Sequence, residues 1–290
     1  MQVSPVTNHY NNTKMSVKPT FTAHYDKYAK GIKNLRGDGI IYQNGDIKNY
    51  SHLMRNLVLF QKLPYLLDKK FPNGCRMYDY ACSVGYEPAS IIISLEDKLP
   101  KIKAEKFYPI LAFDKNPQII QEAQRYQLRL NGAERRCFEY FENIKKQKYM
   151  TAIGIDFQKQ EINNVTDEIR NKVIFREGDI FKDLEEGKLS EEPCVVFIRN
   201  TWQFLTQDGS EKLSTTLYDK LKSKSLVFIG DEDIDKFYDM RTDKLLKRAG
   251  FNPVEEDFPI TFKTPKNMDI YRRLTMFEHK KISQLCYEKP

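Results

Sequence analysis

The stretch Tyr80-Ala81-Cys82-Ser83-Val84-Gly85-Tyr86-Glu87-Pro88 carries the residues whose types and spacing most constrain the chemistry of this chain. An apolar run from Met77 to Ala81 leads into a tight turn at Gly85. A glutamate and a proline follow, and then a second apolar run from Ala89 to Leu95. The pattern predicts a strand, a turn of small residues and a helix opening at Pro88, where a missing N–H costs nothing. In open α/β sheets ligands bind in such a crevice, at the carboxyl end of a strand. Glu87 puts a fixed negative charge there. A carboxylate suits a cationic group better than a pyrophosphate, so the motif points to a ligand with an ammonium or a sulfonium. No G-x-G-x-x-G follows the strand, which argues against a dinucleotide-dependent oxidoreductase.

Three later strand ends add polar residues. The second strand closes in Phe113-Asp114-Lys115-Asn116-Pro117. A carboxylate in this place can accept from both hydroxyls of a ribose, although an acidic residue before Asn-Pro also serves as a helix cap. The third closes in Glu177-Gly178-Asp179-Ile180. Such an Asp can accept from an adenine amino group while Ile180 packs on the ring; the plain alternative is a surface turn. The fourth closes in Arg199-Asn200-Thr201-Trp202-Gln203-Phe204, where Arg199 and Asn200 sit at the crevice mouth. Trp202, the only tryptophan, reads as packing.

These residues need a frame of alternating elements. Strands are predicted at Met77–Ala81, Ile110–Phe113, Val173–Phe175, Val195–Ile198 and Leu226–Ile229. Helices are predicted at Ala89–Asp97, Pro117–Leu130, Ser210–Lys222 and Asp243–Ala249. Leu53, Leu57, Phe60, Leu63 and Leu67 recur at helical steps and predict a helix over Tyr50–Lys69. The fold class expected is α/β, a mainly parallel sheet with helices on both faces. About 40 residues between Leu130 and Val173 exceed an ordinary connection, and a small inserted β-subdomain is expected over about 131–172. Residues 1–20 are expected to be a disordered tail and 21–48 a short N-terminal segment with a helix at Phe21–Leu35. The catalytic domain is expected over 49–280, its last strand or strand pair at Ile270–His279, and 281–290 as a tail.

Bulk properties narrow the classes. The chain of 290 residues is 40% hydrophobic with a formal charge of +7. Pairs such as Arg135-Arg136, Lys145-Lys146 and Arg272-Arg273 are scattered, so no nucleic-acid arm is expected. Five cysteines without C-x-x-C spacing and four histidines make a poor zinc set, and no metal is expected. Cys75, Cys82 and Cys194 read as small core residues. No apolar stretch has the length of a membrane span and no signal-peptide pattern opens the chain; a cytoplasmic monomer without membrane insertion is expected.

Taken together, the motifs resemble those of the chemotaxis receptor methyltransferases, which use S-adenosylmethionine (SAM) to esterify receptor glutamates. Cys82-Ser83-Val84-Gly85-Tyr86-Glu87-Pro88 resembles the family's Cys-Ser-Thr-Gly-Glu-Glu-Pro. Ala112-Phe113-Asp114 is similar to its Ala-Thr-Asp, and Val173-Ile174-Phe175 through Asp179-Ile180 to its Val-x-Phe with a later Asn/Asp-Leu. Val195 to Asn200 is similar to its strand ending in Cys-Arg-Asn, and Ile229-Gly230-Asp231-Glu232 to its Gly-x-Ser-Glu. Asn49-Tyr50-Ser51-His52-Leu53-Met54-Arg55 resembles Asn-x-Thr-x-Phe-Phe-Arg. The likeness runs from about Asn49 to Arg273.

The resemblance implies a Rossmann-like class I SAM methyltransferase fold, SAM as cofactor, S-adenosylhomocysteine (SAH) as product, and a protein acceptor such as a methyl-accepting receptor. It implies that Asn49, Ser51 and Arg55 hold the methionine end, and that Arg55 reaches the methyl-transfer site. Glu87 would meet the α-amino group, Asp114 the ribose, and Asp179 and Ile180 the adenine, with Arg199 and Asn200 closing the pocket. Phe204 stands where the family places a tyrosine near the methyl, so the ring is kept and a hydroxyl lost. Val84 and Tyr86 depart from the signature, and the family's basic helical N-terminal domain has no counterpart among the first 48 residues. Two other readings stand beside this one: the same fold acting on a small molecule or another side chain, and a non-catalytic SAM-binding module.

Overall fold

The computed structural model describes residues 51–141, 143–234, 241–255 and 282–290. The expected N-terminal segments, Asn49, the strand at Ile270–His279 and the pair Arg272-Arg273 lie outside the described residues. Helix α1 (Leu57–Lys70) leads into β1 (Met77–Tyr80), α2 (Tyr86–Lys98), β2 (Ile110–Asp114), α3 (Pro117–Arg125), β3 (Gln127–Leu130), α4 (Gly132–Cys137), β4 (Met150–Ile155) and β5 (Glu161–Val165). Then come β6 (Val173–Glu177), α5 (Ile180–Glu185), β7 (Val195–Ile198), α6 (Gln207–Lys220), β8 (Leu226–Ile229), α7 (Thr242–Ala249), β9 (Asn252–Pro253) and β10 (Cys286–Glu288).

Seven strands form one sheet in the order β6-β2-β1-β7-β8-β10-β9. The first five are parallel, and β10 runs antiparallel to both β8 and β9. The central strands, Val195-Val196-Phe197-Ile198 and Leu226-Val227-Phe228-Ile229, are buried along their whole length. That is the signature of a parallel sheet covered on both faces. Strand β1 pairs with β2 on one side and with β7 on the other, so the strand order reverses at β1. This reversal opens the crevice in which α/β sheets hold ligands.

Helix α2 covers the sheet with Ala89, Ile91, Ile92, Ile93 and Leu95 fully buried; a helix apolar all round belongs between two layers. Helix α1 is the outer layer and carries Pro64 in its interior. Proline has no N–H for the carbonyl four residues back, which is Phe60. The Ser94 hydroxyl of α2 donates to that carbonyl instead, so a break in one helix becomes a joint between two.

A second, antiparallel sheet has the order β3-β5-β4. It begins at Gln127, inside the region expected to continue α3 as far as Leu130. The helix stops because Tyr126 turns into the left-handed conformation at φ 50°. Its ring packs edge-on against Phe175 at 4.9 Å, and Gln127-Leu128-Arg129-Leu130 then alternates exposed and buried. Two further expectations are corrected. Residues 286–288 are no tail: Cys286-Tyr287-Glu288 fills the position between β8 and β9, a strand too short for its pattern to be read. The helix expected over Tyr50–Lys69 starts only at Leu57, because Met54 and Asn56 both take left-handed conformations. Among the described residues no helix is long and apolar enough to cross a membrane.

Candidate functional site

The turn after β1 is built from alternating conformations. Ala81, Ser83 and Gly85 all have positive φ, at 61°, 53° and 97°. Gly85 is required by close packing as well, since a Cβ there would lie 2.7 Å from the rings of both Phe175 and Tyr126. The Tyr126 hydroxyl also donates to the Gly85 carbonyl at 3.2 Å. Helix α2 therefore opens at Tyr86, two residues before Pro88. Tyr86, which departs from the signature glutamate, has a structural use: its hydroxyl donates to the Arg129 carbonyl at 2.6 Å and accepts from the Arg129 N–H at 2.9 Å. The signature turn is thereby fastened to β3.

Glu87 lies in the first turn of α2, where the helix dipole favours a carboxylate. The charge expected to stand alone is opposed by a cation: Arg199, directly after β7, places Nη1 3.2 Å from Glu87 Oε1. Arg199 is itself buried and its Nη2 donates to the Arg55 carbonyl at 2.9 Å. Burial would pull its pKa down, but Glu87 and Asp231 outweigh that and raise it, so the guanidinium stays charged. Phe60 lies beneath it at 5.2 Å, within cation–π range.

The segment Ser51–Asn56, expected to be helical, is an irregular turn fastened from four directions. Leu53 N–H donates to Glu134 Oε1 of α4 at 2.9 Å, and Met54 N–H to Ser90 Oγ of α2 at 2.8 Å. The Arg55 carbonyl takes the bond from Arg199, and Asn56 Nδ2 donates to Asp231 Oδ1 at 3.0 Å. Ser51 and Arg55 are half-buried in this turn.

Asp114 ends β2 and ties two turns together. Its Oδ2 accepts from Ser83 N–H at 3.1 Å and its Oδ1 from Asn116 N–H at 3.0 Å. The helix cap itself is Asn116, which accepts from Gln118 N–H. Burial pushes the Asp114 pKa up against the pull of its backbone donors. Asp179 caps α5, accepting from Phe181 N–H at 3.0 Å, and pairs with Lys115 at 2.7 Å; the buried Ile180 follows it. Asn200 sits at φ 56°. Its N–H and that of Gly230 both donate to Asp233 Oδ2, at 2.6 and 2.8 Å. A side chain at Gly230 would collide with Asn200. Phe204 is half-buried on a short 3-10 turn, and Trp202 is buried with Nε1 donating to the Ile198 carbonyl, in keeping with a packing role.

Glu87, Asp114, Asp179, Ile180, Arg199 and Asn200 thus stand at or just beyond the carboxyl edge of the large sheet. Sequence reasoning passed over Asp79, Ser90, Glu134 and Asp233. The signal for Asp79 is a lone charged residue inside a run read as apolar; fully buried acids are rare and are normally paired. Asp79 is 1% exposed on β1. Its Oδ2 is buried without a hydrogen-bond donor, whereas the Oε1 of Glu87 faces Arg199. An unmet acceptor beside a second carboxylate fits a ligand that brings N–H donors and positive charge. SAM brings both, in its α-ammonium and its sulfonium, so the residues present fit that cofactor.

The family model described as "CheR methyltransferase, SAM binding domain" matches residues 49–244. A search of the curated proteins finds no match. Among solved structures the chain is similar to a TehB-like SAM-dependent methyltransferase from Corynebacterium glutamicum, at 15% identity over 80% of this chain and 86% of that one, with a TM-score of 0.34. It is similar also to magnesium protoporphyrin IX methyltransferase from Synechocystis, at 14% identity over 83% and 92%, and to human N-acetylserotonin methyltransferase, at 14% over 93% and 57%, each with a TM-score of 0.37. The assignment rests on the family match, which takes in more than half of the chain and spans the crevice from Ser51 to Asp233. The chain belongs to the CheR methyltransferase family and is a SAM-dependent methyltransferase.

Proposed function

We propose that the chain transfers the methyl group of SAM to a glutamate carboxylate of a protein, by in-line displacement. One observation carries the reading: a single buried guanidinium, that of Arg199, bridges Glu87 and the backbone of Arg55. The residue assigned to the cofactor and the residue assigned to the acceptor are held in fixed relation through it.

In this reading Glu87 receives the α-ammonium, Asp114 the ribose hydroxyls, and Asp179 and Ile180 the adenine. Asn49, Ser51 and Arg55 hold the methionine end, and Arg199 and Asn200 close the pocket. Bound SAM supplies an activated methyl whose sulfur keeps the bonding electron pair as the acceptor oxygen bonds to carbon. A glutamate acceptor is already ionised at neutral pH, its reference pKa being about 4.3, so no base is required. What the protein supplies is alignment and removal of water. Arg55 orients the incoming carboxylate with its planar fork, and Phe204 gives an apolar wall beside the methyl.

Phe204 in place of tyrosine also favours a second reading, in which another nucleophile is methylated. The two separate chemically. Incubation with saturating labelled SAM and methyl-accepting receptor peptides should give alkali-labile methyl esters at a rate flat from about pH 6 to 9. Alkali-stable product, with a rate climbing towards pH 8–9 as an amine of pKa about 8–10 deprotonates, would replace the carboxylate reading with the second.

A further inference from the structure

Asp79 is a buried acid that the chemistry above leaves unused. It is the third residue of β1, and its neighbours across the ladder are Ala112 and Phe197, neither of which offers a side-chain donor. Its Oδ2 has no hydrogen-bond partner. The charged and titratable groups that face it are Glu87 from α2, Arg199 from the end of β7, Asp114 from the end of β2, Cys82 from the signature turn and Tyr126 from the start of β3. Arg199 is the one cation of this set, and its two Nη atoms already serve Glu87 and the Arg55 carbonyl. Asp79, Glu87 and Asp231 therefore share one guanidinium, and of these three Asp79 is the one sealed from water, at 1% exposed.

A carboxylate so placed holds a proton, because its charged form is neither solvated nor paired. Burial and the nearby Glu87 push the Asp79 pKa well above the usual carboxylate range, against the pull of Arg199. A further positive charge in the crevice would reverse the balance. SAM and SAH carry the same ammonium and differ in the sulfur, which is a cation in the first and neutral in the second.

We propose that Asp79 discriminates SAM from SAH through its own proton, being ionised in the SAM complex and protonated in the SAH complex. The carboxyl proton leaves to solvent when SAM is bound. One proton returns when methyl transfer has left a neutral thioether, which weakens the hold on product relative to substrate. The proposal rests on the crevice assignments made above.

The test is calorimetric titration of the full chain with SAM and with SAH, in paired buffers of different ionisation enthalpy, across pH 5 to 9. SAM should release up to one proton more than SAH. Preference for SAM over SAH should rise with pH, by up to about tenfold per pH unit while Asp79 titrates. In Asp79→Asn both ligands should bind with equal proton counts and a flat preference; if that variant fails to fold, Asp79→Ser takes its place, and the wild-type profile remains decisive by itself. Equal proton counts for the two ligands in the wild type, or a difference that survives in Asp79→Asn, overturns the role of Asp79 alone. If neither ligand binds, the crevice assignments fall and this role falls with them.

Discussion

At the tip of the β4–β5 hairpin Lys159 takes a left-handed conformation in open solvent, while Asp156 Oδ1 accepts from the N–H groups of Gln158 and Gln160. At the carboxyl edge of the large sheet Ala81, Ser83 and Asn200 take the same conformation close to the buried Asp79, whose Oδ2 has no donor. The hairpin is a turn whose chemistry is complete in itself. The crevice carries three residues with such strained backbone, of order 1–3 kcal/mol each, together with an unmet acceptor. Such a combination persists only where the surroundings hold it, and it marks the place built for something else to bind.

The two regions also titrate in opposite senses. Glu96 of α2 anchors the insert. Burial alone would raise its pKa, but hydrogen bonds from Lys172, Lys148 and Tyr149 outweigh it and the pKa is lowered. Stability from Glu96 is therefore present above its unfolded pKa of about 4.3 and is lost as pH falls through the folded value. Asp79 and Asp114 are raised. The folded state holds their protons longer than the unfolded state does, so they remove stability as pH rises through the interval between the two values.

The contrast can be broken most forcefully at Arg199. Arg199→Met should lower stability by about 3–5 kcal/mol, the effect of breaking a buried pair, and should abolish cofactor binding; an unchanged melting temperature would show that the guanidinium does not hold the crevice together. Next comes Asp114→Ala, which strips the acceptor from the N–H groups of Ser83 and Asn116. A loss of about 1–3 kcal/mol is expected in both stability and SAH affinity. Loss of stability alone would make Asp114 a tether and remove it from the pocket. Glu96→Gln should remove about 1 kcal/mol at pH 7, a deficit that disappears in acid and leaves cofactor affinity untouched; urea melts from pH 3 to 7 measure it. The smallest effect belongs to Phe157, 93% exposed beyond β4. Phe157→Ser should change stability by less than about 0.5 kcal/mol, and a larger loss would mean that the hairpin tip is covered.

The parallel core was legible because Val195-Val196-Phe197-Ile198 and Leu226-Val227-Phe228-Ile229 are short apolar runs bounded by polar residues, a pattern that barely depends on what packs around it. The crevice residues were legible through their place at strand ends. Two kinds of information were not. The segment Ser51–Asn56 has helical spacing, yet its shape is set by Glu134, Ser90, Arg199 and Asp231, all distant in sequence. The pairing of Glu87 with Arg199 joins two residues that each looked like an independent ligand. Asp79 was hidden for a related reason: flanked by Tyr78 and Tyr80, it reads as one polar residue in a strand, and only the three-dimensional crowding of Glu87 and Asp114 gives it meaning.

The most direct test of the crevice as the cofactor site is calorimetric titration of the wild type and of Glu87→Gln with SAH. Micromolar binding to the wild type, weakened by about 1.5–3 kcal/mol in a variant that melts normally, is the predicted result. Equal affinity in the two proteins would contradict the assignment of Glu87 and with it the site proposed at the head of α2.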